Sequence, residues 1–137
     1  MKLKLNSIKE EKAAWEAAGV KLPEYDIEGV RAKTAEAPEW IHFGAGNIFR
    51  GFIAGIADKL IGEGLMTTGI VATDSFDGEI IDKIYYPYDL LTLSVGLRPD
   101  GKSDKAVTAG IGAALAADAA HFDELKRYFY YLLIYSN

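Results

Sequence analysis

From Asn47 onward Ile48, Phe52, Ile53, Ile56, Ala57 and Leu60 recur at spacings of three and four residues, until Gly62 and Gly64 end the pattern. That period is helical and gathers the apolar side chains on one face. Ahead of it, residues 40–43 form a short aromatic and β-branched run that ends on Gly44. Behind it, residues 67–74 ("TTGIVATD") are apolar without alternation, as in a strand buried on both faces. Strand, helix and strand in so short a stretch predict a βαβ unit with a right-handed crossover and parallel strands.

The flanks add to this unit without dividing the chain. Ser7, followed by charged residues, Trp15 and four alanines, predicts a first helix with a serine cap and a stop at Gly19, packing Trp15 on the body. Pro23 interrupts, Asp26 caps a second helix through about Ala35, and Pro38 blocks its continuation. Downstream, residues 77–83 have room for one or two helical turns. Residues 90–97 and 106–111 read as strands, and "RPDGKS" between them carries the chemistry of a tight turn, which favours an antiparallel hairpin over another βαβ unit. Asp118 is placed to cap a last helix through Leu125 and Lys126.

Composition narrows the partners. With 20 acidic and 15 basic residues, a net charge of −5 and no basic stripe, nucleic acid is not an expected partner. The absence of cysteine removes thiolate metal sites and cysteine nucleophiles, and two histidines far apart give a metal little to hold. The basic start runs into charged residues, so it is not a signal peptide. The longest apolar run, "YFYYLLIY", falls far short of the ~18 residues of a membrane span, and a soluble, cytoplasmic protein is expected.

The candidate chemistry sits between the first strand and the helix, in "HFGAGNIFRGF". Gly44 permits a sharp exit from the strand, and Gly46 lets a diphosphate approach the backbone with no side chain in the way. The helix that follows offers unpaired amides and a positive dipole end. The candidate contacts are therefore Gly44, Ala45, Gly46, Asn47, Ile48, Phe49 and Arg50. Asn47 either caps the helix or binds phosphate, and Arg50, a cation where the dipole disfavours one, has either a phosphate or a surface carboxylate to meet. Phe49 stands where the fingerprint has its third glycine, so the helix either lies further from the strand or turns that ring away, with Gly51 available for the close contact. Asp74 ends the second strand, where an acid accepts hydrogen bonds from the adenosine ribose and repels a 2′-phosphate, favouring NAD over NADP. His42 reads as structural.

The fold class expected is thus α/β. Residues 1–137 would make one Rossmann-like NAD-binding domain, with a parallel βαβ core, an added antiparallel hairpin and an N-terminal helical preamble over residues 1–38. Two other readings stay open: a methyltransferase-like domain holding S-adenosylmethionine over the same turn, and a non-catalytic nucleotide-binding or oligomerising module.

Three segments, "PEYDIEGVRAKTAEAPEWIHFGAGNIFRGFIA", "VATDSFDGEIIDKIYYPYDLLTLSV" and "GIGAALAADAAHFDELKR", carry a resemblance to the mannitol dehydrogenase family of long-chain polyol and hexuronate dehydrogenases. The resemblance implies NAD-dependent interconversion of a secondary alcohol on a small-molecule sugar acid or polyol with its ketone. It also implies a glycine turn that departs from the third glycine. The family's catalytic residues belong to a second, helical domain with no counterpart here, so no catalytic residue is named. After "FDELKR" the pattern gives way to "YFYYLLIYSN", which reads either as a truncated or frame-shifted end or as a closing strand. A fragment without its partner domain would expose apolar surface and self-associate.

Overall fold

The computed structural model describes residues 1–76 and 78–135. The amino-terminal segment folds as α1 (Leu5–Glu10), α2 (Lys12–Ala17), a two-residue strand β1 (Val20–Lys21) and α3 (Ile27–Glu36). Asp26 caps α3 as its position predicts, its side chain accepting from Gly29 N at 3.0 Å. Ser7 does not cap. It lies inside α1, and its hydroxyl accepts from Trp15 Nε1 at 3.2 Å, which fixes the buried indole between the two short helices.

Two three-stranded sheets follow. In the first, β2 (Ile41–Phe43), β3 (Ile70–Asp74) and β6 (Ile111–Ala116) run parallel in the order β2-β3-β6. Between β2 and β3 the chain is helical from Asn47, with a π-helical turn over Phe49–Ile53 leading into α4 (Ala54–Gly62). The period-two geometry of strands sorts β3 and β6 between two layers. Ile70, Ala72 and Ala114 face the core formed with Phe49, Ala54, Ala57, Ile81 and Tyr85, while Val71 and Leu115 face Leu125 and Tyr128 of α5 (Phe122–Tyr135). Burial on both sides explains why β3 shows no alternation.

In the second sheet, β4 (Thr92–Leu97) and β5 (Ser103–Thr108) form the antiparallel hairpin, closed where Gly101 N bonds Arg98 O at 3.1 Å, and β1 joins β5 in parallel. Ile8, Trp15, Val20 and Ile27 of the amino-terminal segment pack there on Leu91 and Val107. The preamble therefore also contributes a strand.

Several expectations need correction. Residues 106–111 are not one strand: β5 ends at Thr108, and Ile111 opens β6. In the "IGAALA" of β6 only Ile111 is of the β-branched kind that marks strands, and the small side chains suit a strand pressed between two layers. The second core strand starts at Ile70 rather than at position 67, because Gly69 N bonds Thr34 Oγ1 at 2.8 Å instead of a neighbouring strand. Asp118 does not cap α5. Its Oδ1 accepts from His121 N at 3.0 Å in the turn ahead of the helix. The segment "YFYYLLIY" is not a strand but the continuation of α5. Residues 79–85 turn helically, ending in a π-helical turn over Ile81–Tyr85, while Asp77, where that expectation began, lies outside the described residues.

Candidate nucleotide-binding site

The turn after β2 forms because Gly44 takes φ +108°, a conformation disfavoured for side-chain-bearing residues, while its N–H still bonds Thr73 O of β3 at 2.8 Å. The chain leaves the sheet there and enters the helix within three residues. The first helical hydrogen bond in this stretch runs from Arg50 N to Gly46 O at 3.1 Å, so the amides of Asn47, Ile48 and Phe49 form the donor end of the helix. A methyl carbon placed on Gly44 or Gly46 would meet nothing within 4 Å. The two glycines thus border open space beside a row of amides.

Ala45, between them, is fully buried and held at both ends of its residue. Its N–H donates to Asp74 Oδ2 at 2.9 Å, and its carbonyl accepts from the Tyr85 hydroxyl at 2.7 Å. Asp74 also accepts from Phe76 N at 2.9 Å through Oδ1. The carboxylate at the end of β3 therefore ties the glycine turn to the loop that follows β3. All eight predicted residues, 44–50 and Asp74, are brought to one end of the parallel sheet.

Phe49 fits because its ring turns inward. It is buried and stacks on His42 with 4.5 Å between ring centres and 15° between planes. The π-helical turn that begins at Phe49 accommodates the ring, and Gly51 faces open space and makes no close contact. Close approach of helix and sheet is supplied from the other partner. A methyl carbon on Gly110 would lie 2.2 Å from Ala54 O and 2.6 Å from Asp58 N.

Arg50 has no carboxylate partner among the described residues, contrary to the ion-pair reading. Its Nη2 donates to Asn47 Oδ1, its Nε is buried without a hydrogen-bond partner, and its guanidinium lies 5.9 Å from the centre of the Tyr85 ring. Asn47 thereby serves Arg50 and not the helix end. Burial pushes the Tyr85 phenol well above its ordinary range, the Arg50 charge opposing, so it remains a proton donor at neutral pH. Sequence reasoning missed Tyr85, since its one signal was the aromatic run "IYYPYD".

A parallel sheet with this glycine turn at its carboxyl end and an acid closing the neighbouring strand defines a Rossmann-like fold. Comparison with known proteins places the chain further. It is 46% identical over 123 residues to D-mannonate oxidoreductase of Thermotoga maritima, covering 90% of this chain and 23% of that protein. Among solved structures it is similar to Pseudomonas fluorescens mannitol 2-dehydrogenase in its ternary complex with NAD and D-mannitol, at TM-score 0.66 and 25% identity over 89% of this chain and 23% of that one. Substrate-free D-sorbitol dehydrogenase gives TM-score 0.61 and 29% identity over 79% and 22% of the two chains. No family model matches. The chain is similar to these polyol dehydrogenases and to the mannonate oxidoreductase, and spans about a quarter of their length. Among the described residues no helix is long and apolar enough to cross a membrane.

Proposed function

We propose that this chain is the NAD-binding portion of an oxidoreductase that interconverts a secondary alcohol of a sugar acid or polyol with its ketone. The observation that carries the reading is the open space over Gly44 and Gly46 beside the amides of Asn47, Ile48 and Phe49, a fit for a diphosphate. Arg50 adds positive charge at the same place, its Nε still unpaired. Asp74, at the end of β3, stands where ribose hydroxyls would be met, and its charge disfavours a 2′-phosphate. Bound NAD would supply a nicotinamide that accepts or returns a hydride. The NAD held by the mannitol 2-dehydrogenase relative supports this choice of cofactor. The residues that move the proton are assigned to the part of the family polypeptide that this chain does not match.

Titration calorimetry with NAD tests the proposal. Weak, saturable binding is expected, NADP should bind less tightly, and the chain by itself should not turn over mannonate, fructuronate or mannitol. Saturable binding of S-adenosylmethionine with none of NAD would overturn it. Ile48, Phe52 and Ile56 lie at successive turns of one helix and are exposed by 80%, 65% and 42%. The same chain should therefore self-associate in sedimentation, through a row of apolar side chains that nothing covers among the described residues.

A further inference from the structure

We infer that Tyr85 is a positioning residue for the diphosphate cradle, aiming the Gly46 amide outward by holding the Ala45 carbonyl inward. The inference rests on the NAD reading above and adds a residue outside the glycine turn to it.

The Ala45 carbonyl and the Gly46 N–H belong to one peptide unit. That unit is planar and trans, the chain having no cis peptide among its described residues, so the two groups point in opposite directions. The Tyr85 side chain is almost wholly buried and lies in the core that contains Ala45, Phe49 and Ile70. Its 2.7 Å hydrogen bond draws the carbonyl toward that core, and the Gly46 amide is thereby turned to the open side where no side chain stands. A turn with a glycine on either side of Ala45 has little stiffness of its own. The other tether, from Asp74 to Ala45 N, fixes the preceding peptide and leaves the Gly46 amide to Tyr85.

Tyr85 also has support for this role. Its ring sits beneath the Arg50 guanidinium, and the next residue, Tyr86, anchors the segment to the sheet through a 2.7 Å hydrogen bond to Ala114 O of β6. One side chain thus holds the Ala45 carbonyl and lies beside the Arg50 guanidinium.

The test is Tyr85→Phe, which keeps the ring under Arg50 and removes the hydroxyl. Its affinity for ADP-ribose and NAD should fall about ten-fold, the factor expected for one modest hydrogen bond, while its affinity for adenosine, which has no diphosphate, stays the same. An equal loss for adenosine would mark a merely structural role and overturn the inference, as would unchanged ADP-ribose binding. If the unaltered chain binds neither ADP-ribose nor adenosine, the NAD reading itself fails. A ligand-free measurement separates the two and also serves if the variant does not fold. Residual dipolar couplings of the unaltered chain should orient the Gly46 N–H away from the Tyr85 ring, and a vector pointing into the core would sink the inference whatever the chain binds.

Discussion

At the carboxyl end of the parallel sheet, a methyl carbon added to Gly44 or Gly46 would meet nothing within 4 Å. At the amino end the same addition would strike Ala54 O at 2.2 Å from Gly110, Thr34 Oγ1 at 2.3 Å from Gly112, and Gly112 N at 2.5 Å from Gly69. The missing side chain leaves open space at one end and room for the protein's own packed atoms at the other. In the amino-end group, Gly112 is the extra residue where the β3–β6 register slips, between the pairs Ile70–Ile111 and Val71–Ala113. Glycine is therefore informative here only together with what lies above it.

Gly110→Ala should have the largest effect. Backbone cannot yield as a flexible side chain does, so destabilisation of roughly 3 kcal/mol in urea unfolding is expected, at the upper end for overpacking. Gly44→Ala should cost less, roughly 1–2 kcal/mol, the strain of a side chain held at positive φ, and should also weaken NAD. Gly46→Ala should leave the urea midpoint almost unchanged, within about 0.5 kcal/mol, yet abolish NAD binding by calorimetry. If Gly46→Ala unfolds the protein as readily as Gly110→Ala, the distinction between the two ends is broken.

The smallest effect sharpens the packed end. Asp58 faces the Gly110 contact, and its Oδ1 accepts from Tyr25 OH at 2.6 Å and Ala109 N at 2.7 Å. Burial raises its carboxyl above the ordinary range, the two hydrogen bonds opposing. A raised acid favours the folded state when protonated. Its contribution is complete below about pH 4, the unfolded value, and is lost as the pH climbs through the higher folded value. Asp58→Asn keeps an oxygen for both donors and removes the charge. Its stability relative to the unaltered chain should rise through that window and level off above it, as urea midpoints measured across pH would register. A constant difference would mean that Asp58 folds with an ordinary carboxyl.

What the sequence made legible was local. The Asp26 cap, the glycine turn, the βαβ unit and the Pro-Asp-Gly turn are each specified by residues a few positions apart, and the structure has them. The fingerprint expects an acid at the end of the second strand, where Asp74 stands; its hydrogen bond to Ala45 N is a contact the fingerprint does not announce. What stayed hidden depends on residues distant in the chain. Strand β6 is Ala- and Gly-rich because two layers press on it, which its own sequence does not announce. Gly110 provides a close approach that the fingerprint assigns to a glycine in the helix. Ser7 has the chemistry of a cap, but Trp15 Nε1 claims its hydroxyl. Tyr85 meets Ala45 across 40 positions, beyond the reach of any periodicity.

Asp89 and Leu90 take φ +50° and +57°, two successive residues in a left-handed conformation without a glycine. Arg31 binds the Asp89 carbonyl, while Lys4 Nζ and Leu5 N hold its carboxylate, the lysine from 85 positions away. Those three grips come from the first third of the polypeptide and land just past Tyr85. A cut at Pro38 would therefore not liberate an autonomous module. It would cast off the clasp on a wound spring whose other end carries the phenol beneath the glycine turn.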